Sequence, residues 1–78
     1  LAINDVTLEV SGLVDKRVYS DREEAYYVMS GQALVTVGDE QGVINPGSVA
    51  FIPRGEPHGY CSIGDEPLKL VVMSSYDV

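Results

Sequence analysis

The 78-residue chain has one cysteine, one histidine and five basic side chains, and each scarcity narrows what it can be. A lone cysteine, Cys61, excludes an intramolecular disulfide, so no covalent staple supports the fold. A lone histidine, His58, limits any metal or catalytic site to a single imidazole. Five Lys and Arg stand against twelve Asp and Glu, for a net charge of −7. The cations are also scattered: Lys16 and Arg17 are adjacent, and Arg22, Arg54 and Lys69 stand singly. Phosphate neutralisation needs clustered cations, so neither nucleic acid nor an anionic membrane is an expected partner. No apolar run approaches the roughly 20 residues of a membrane-spanning helix. No signal-peptide pattern opens the chain, and a cytoplasmic location is the expectation.

Helical periodicity is missing too. In its place come short alternating runs divided by turn residues, which predict an all-β domain over residues 1–78. The predicted strands cover residues 5–10, 13–19, 25–29, 32–37, 41–44, 49–52, 58–63 and 68–74. Turn chemistry separates them: Ser11-Gly12, Ser30-Gly31, Gly38-Asp39-Glu40, Asn45-Pro46-Gly47 and Gly64-Asp65-Glu66-Pro67. Residues 21–24, Asp-Arg-Glu-Glu, read as a polar loop. A chain this short buries only about 60% of its unfolded surface, so a homodimer is expected to add to a small core.

One stretch organises the rest: residues 47–62, GSVAFIPRGEPHGYCS. The apolar run 49–52 stops at Pro53, which has no N–H for a ladder. Gly55 tolerates the positive φ of a tight turn. The next run then places His58, Tyr60 and Ser62 on one face, with Gly59, Cys61 and Ile63 on the other. Parity thus separates Cys61 from His58 and argues against a metal pair; a buried free thiol is expected.

The spacing of Gly47, Pro53, Gly55, His58 and Ser62 resembles the second motif of the cupins, which has Asn at the last of these positions. Residues 24–31, EAYYVMSG, resemble the end of the first cupin motif, with Glu24 in the place of the metal-binding carboxylate. The resemblance implies a small antiparallel barrel, a jelly roll or double-stranded β-helix. It also implies a lumen that holds a metal on three histidines and one glutamate, and dimerisation through the outer sheets. This chain departs from the pattern upstream of Glu24. A gap of three puts Val18 and Ser20 in the histidine positions, and a gap of four puts Arg17 and Tyr19 there. Glu24 and His58 alone would hold a divalent transition metal weakly, and the Arg17 charge would repel it.

What the resemblance implies for function is therefore divided. The first expectation is a small polar or carbohydrate-like ligand in the lumen, touched by Glu24, Tyr26, His58, Tyr60, Tyr19 and Arg54. The last of these is suited to a carboxylate. The alternative is an enzyme of isomerase, lyase or dioxygenase type, metal-dependent or working through His58, Glu24 and Tyr60. A third is a structural or interaction domain whose lumen is packed shut.

Overall fold

The computed structural model describes residues 1–76, which form eight β-strands. They are β1 (Ala2–Leu8), β2 (Leu13–Arg17), β3 (Arg22–Ser30), β4 (Ala33–Val37), β5 (Glu40–Ile44), β6 (Val49–Ile52), β7 (His58–Ser62) and β8 (Leu68–Tyr76). Two antiparallel sheets result, in the orders β1-β8-β3-β6 and β2-β7-β4-β5. Neighbours in space are mostly distant in sequence, as a jelly roll requires. Alternation turns one face of each sheet inward. Tyr26, Val28, Ile52, Leu68, Leu70 and Val72 from the first sheet meet Ala33, Val35 and Tyr60 from the second in one core. None of the described residues forms a helix long and apolar enough to cross a membrane.

The strands depart from the expected bounds where pairing overrides composition. Residues 22–24 are not a loop: β3 starts at Arg22, because Arg22, Glu23 and Glu24 pair with Tyr76, Ser75 and Ser74 of β8. Their charge reads as loop in one dimension, yet alternation buries Glu24 and leaves Glu23 exposed. Strand β1 lies upstream of its expected place, since Ala2 to Leu8 run along β8. The chain then turns at residues 9–12, where the Gly12 N–H donates to the Glu9 carbonyl at 2.8 Å. Cys61 is free but half-buried on the outer face, not buried, because β7 is covered there only by its neighbours' edges.

Strand β2 holds the irregularity that matters most. Val14 pairs with Tyr60, but Arg17, not Lys16, pairs with His58, so one extra residue is inserted between them. Such a bulge re-aims every later side chain. Val14 faces inward before it; Arg17 and Tyr19 are half-buried after it, while Lys16 and Val18 are exposed. Gly59 makes the bulge possible. A Cβ there would lie 2.7 Å from the Val14 carbonyl oxygen and 3.1 Å from the Lys16 nitrogen.

The outer face of the first sheet carries exposed Ile3, Met29, Val49 and Phe51. On the inner side, Gly31 adopts φ 81° directly against the β8 entry, where a Cβ would meet the Pro67 carbonyl oxygen at 2.6 Å. Gly47 has φ 89° but open space around it. Gly31→Ala should therefore lose more than the ~1–2 kcal/mol of left-handed strain expected for Gly47→Ala. Urea midpoints of the two variants measure the difference.

Candidate functional site

The site is built by alternation from both sheets. Strand β3 is central in its sheet, and its inward residues Glu24, Tyr26 and Val28 are all buried. Strand β7 is central in the other and presents His58, Tyr60 and Ser62, each at most 4% exposed. Glu24 and His58, 34 positions apart in the chain, face each other across the lumen with Oε1 and Nε2 3.4 Å apart. Tyr26 and Tyr60 meet edge to face, their centroids 5.2 Å apart. Tyr19 packs on the imidazole at 5.4 Å from the other side.

Glu24 is the best-partnered group of the set. Its Oε2 accepts from the Ser74 hydroxyl at 2.8 Å and lies 3.7 Å from Arg22 Nε. Its Oε1 takes a long 3.5 Å hydrogen bond from Tyr26. His58 directs Nδ1 at the Glu56 carbonyl oxygen, 2.9 Å away. That oxygen only accepts, so Nδ1 is the donor and Nε2 is the atom left to act toward the lumen. Burial pushes the Tyr26 hydroxyl well above the ordinary tyrosine range, and Tyr60 rises for the same reason. Both are therefore neutral hydroxyls at any physiological pH.

Two half-buried arginines border the site at its Tyr19 end. Arg22 stands over Tyr19, with Cζ 3.4 Å from the ring centroid, and donates to the Tyr76 hydroxyl at 3.0 Å. Arg17 approaches the same ring at 5.5 Å and engages Tyr26 and Tyr60. Burial works against the Arg17 charge, but the Tyr26 hydroxyl and the nearby Tyr19 and Tyr60 oxygens outweigh this and hold its pKa above the ordinary value. Among the described residues four buried side-chain atoms lack a hydrogen-bond partner: Arg17 Nε, Ser62 Oγ, and two that face Glu24 at ion-pair distance, Arg22 Nε and His58 Nε2.

Of the residues singled out in the sequence, Glu24, Tyr26, His58, Tyr60 and Tyr19 come together. Arg54 does not join them. It is exposed in the turn at residues 53–57 and has an interaction of its own. That turn is pinned beside the site by the Gly55 N–H, which donates to the Tyr19 carbonyl at 2.9 Å. Sequence reasoning missed Arg22 and Ser74, and took Arg17 only as an obstacle to a cation. The Leu68, Leu70, Val72 alternation already pointed to Ser74 as the next inward residue.

A transition metal does not fit these donors. Glu24 and His58 supply two ligands, and among the described residues no three His, Cys, Asp or Glu side chains gather. Of the two registers in which the resemblance implies histidines, the one that turns inward holds Arg17 and Tyr19, a guanidinium and a phenol, and the Arg22 guanidinium lies 3.7 Å from the carboxylate. Nearby charge of that sign opposes a divalent ion.

Comparison with known proteins is consistent with this architecture. A family model described as a cupin domain matches residues 4–74. An uncharacterised protein of Streptomyces coelicolor is 36% identical over 64 residues, which is 82% of this chain and 61% of that protein. A mannose-1-phosphate guanylyltransferase of Escherichia coli O157:H7 is 34% identical over 61 residues, 78% of this chain but 13% of the enzyme. The chain thus spans less than two thirds of the curated relatives it matches. A solved cupin domain from Schizosaccharomyces pombe superposes with a TM-score of 0.94 over 97% of this chain and 56% of that one, at 20% identity. Likeness at that identity speaks to the fold alone.

The buried hydroxyls give the site a pH signature. The folded chain keeps the Tyr26 and Tyr60 protons that the unfolded chain releases above pH ~10. Stability is thus fully present below that pH and falls as pH rises, by up to about 1.4 kcal/mol per unit for each tyrosine. Urea unfolding at pH 9 and pH 11 should show a loss that Tyr26→Phe reduces.

Proposed function

The chain belongs to the cupin family, and on that premise we propose that its barrel binds a small polar or carbohydrate-like ligand in the lumen, without a metal. The observation that supports this most is the convergence of Glu24, His58, Tyr26 and Tyr60 between the two sheets, with Arg17 Nε and Ser62 Oγ buried and unpartnered. Each such atom costs roughly 1–3 kcal/mol unless something satisfies it. A lumen that served only to hold two sheets together would be more stable filled with apolar side chains. Aromatic walls around a few convergent polar groups are instead what small-molecule sites share. Tyr19, Tyr26 and Tyr60 form the walls; Glu24, His58 and Ser74 supply the polar groups. The relative named for mannose-1-phosphate favours the carbohydrate-like class.

A second reading has one observation in its favour. His58 Nε2 faces Glu24 Oε1 at 3.4 Å, a pairing that can take up and return a proton. An isomerase- or lyase-type step through His58, Glu24 and Tyr60 would use it.

We also propose that a second copy of the chain covers the outer face of the first sheet. In register, Ile3, Met73, Ala25 and Phe51 form one apolar row across all four strands of that sheet. An apolar row exposed at Ile3 and Phe51 is suited to being covered, and a domain this small gains most from covering it. Phe51→Glu should convert a dimer to a folded monomer in sedimentation equilibrium; a monomeric parent protein at micromolar concentration would overturn the proposal.

Saturation-transfer NMR with a panel of monosaccharides, their uronic acids and their phosphate esters tests the binding reading. The expected result is transfer from the lumen tyrosines, unchanged by chelator. One equivalent of metal per purified chain, lost in His58→Ala and needed for binding, would contradict it. So would a panel without a single binder.

A further inference from the structure

Resting on the lumen-ligand reading above, we propose that Tyr19 is a gate over the Glu24–His58 pair, latched by Arg22 and Tyr76, and that a ligand enters when the ring swings away. The pair is closed off as it stands. His58 is 1% exposed, and the rings beside it, Tyr26 and Tyr60, are 0% and 4% exposed. Contact with His58 and Glu24 therefore requires part of the surrounding wall to move.

The part free to move is the one that no ladder holds. Tyr26 and Tyr60 sit on β3 and β7, each of which pairs with a strand on both sides. Tyr19 lies in residues 18–21, between the end of β2 at Arg17 and the start of β3 at Arg22. It is half-buried, and its ring stands 5.4 Å from the imidazole at a tilt of 55°. The turn at residues 53–57 is outside the strands as well, and its Gly55 N–H donates to the Tyr19 carbonyl at 2.9 Å. Two connecting segments thus meet beside His58. Such segments open at lower free energy than paired central strands.

The latch is built by strand register. Arg22 and Tyr76 are partners across β3 and β8, which sets the guanidinium 5.0 Å from the Tyr76 ring centroid and 3.0 Å from its hydroxyl. The same guanidinium stands 3.4 Å from the Tyr19 centroid. A cation between two aromatic faces attracts both, so Arg22 holds the gate against the strand end. Its Nε also lies 3.7 Å from Glu24 Oε2, so the latch and the buried carboxylate share a residue. Tyr76 itself is exposed and can be changed without opening the core.

His58 is the one histidine of the chain, so its carbethoxylation by diethyl pyrocarbonate reports the gate directly, with N-acetylhistidine at the same pH as the open reference. In the unaltered chain His58 should react about 10- to 1,000-fold more slowly than the reference, the range set by a minor open state. Tyr19→Ala should raise the rate about tenfold or more, and Tyr19→Phe should leave it near the parent value because the ring remains. Tyr76→Ala should raise it about threefold, as loss of one exposed cation–π contact does. The rate should stay flat in urea below the unfolding transition, because a local opening exposes little surface. If Tyr19→Ala fails to fold, Tyr76→Ala and the urea dependence of the unaltered chain decide. A parent rate equal to that of N-acetylhistidine would overturn the gate, as would a rate unchanged in both alanine variants or one that climbs with urea from the outset. None of these readouts needs a ligand: an open His58 removes the gate and leaves the lumen-ligand reading standing. A gate that behaves as described, with no binder found by saturation transfer, removes that reading alone.

Discussion

A carboxylate buried between two sheets is the constraint from which the rest of the interior follows. Glu24 sits on a central strand and is 7% exposed, so its charge needs partners that water does not supply. Ser74 from the neighbouring strand, Arg22 from its own and His58 from the opposite sheet converge on its two oxygens. Because those partners come from β3, β8 and β7, the polar cluster fixes how the sheets face one another. The apolar core of Val28, Leu68, Leu70 and their neighbours then fills the space beyond it.

Two arginines set the charge at the Tyr19 end of that interior: Arg22 stands 3.4 Å and Arg17 5.5 Å from the ring centroid. Fixed guanidiniums there oppose a divalent cation. The buried, neutral Tyr26 and Tyr60 hydroxyls leave that charge undiminished at physiological pH.

Much of this was legible in the chain. Period-two alternation placed His58, Tyr60 and Ser62 on one face and Glu24 with Tyr26 on another, and local sterics of Pro53 and Gly55 marked the turn between β6 and β7. Two things were hidden because they depend on distant strands. The polarity of residues 22–24 concealed a strand end that exists only because β8 extends to Tyr76 beside it. The bulge that turns Arg17 inward has no Gly or Pro within β2 to announce it; its enabling residue is Gly59, on the partner strand. Knowing which register held upstream of Glu24 would have required that pairing.

The account makes the Arg17 guanidinium, unlike the Glu24 cluster, a provision for a ligand and not a source of stability. Urea denaturation of Arg17→Met in ligand-free buffer tests this most directly, since Met keeps the apolar stem and removes the buried charge. The account predicts a variant as stable as the parent to within about 1 kcal/mol, or more stable. A loss of roughly 3–5 kcal/mol, the size seen when a buried charge pair is broken, would show that Arg17 holds the fold together and would contradict it.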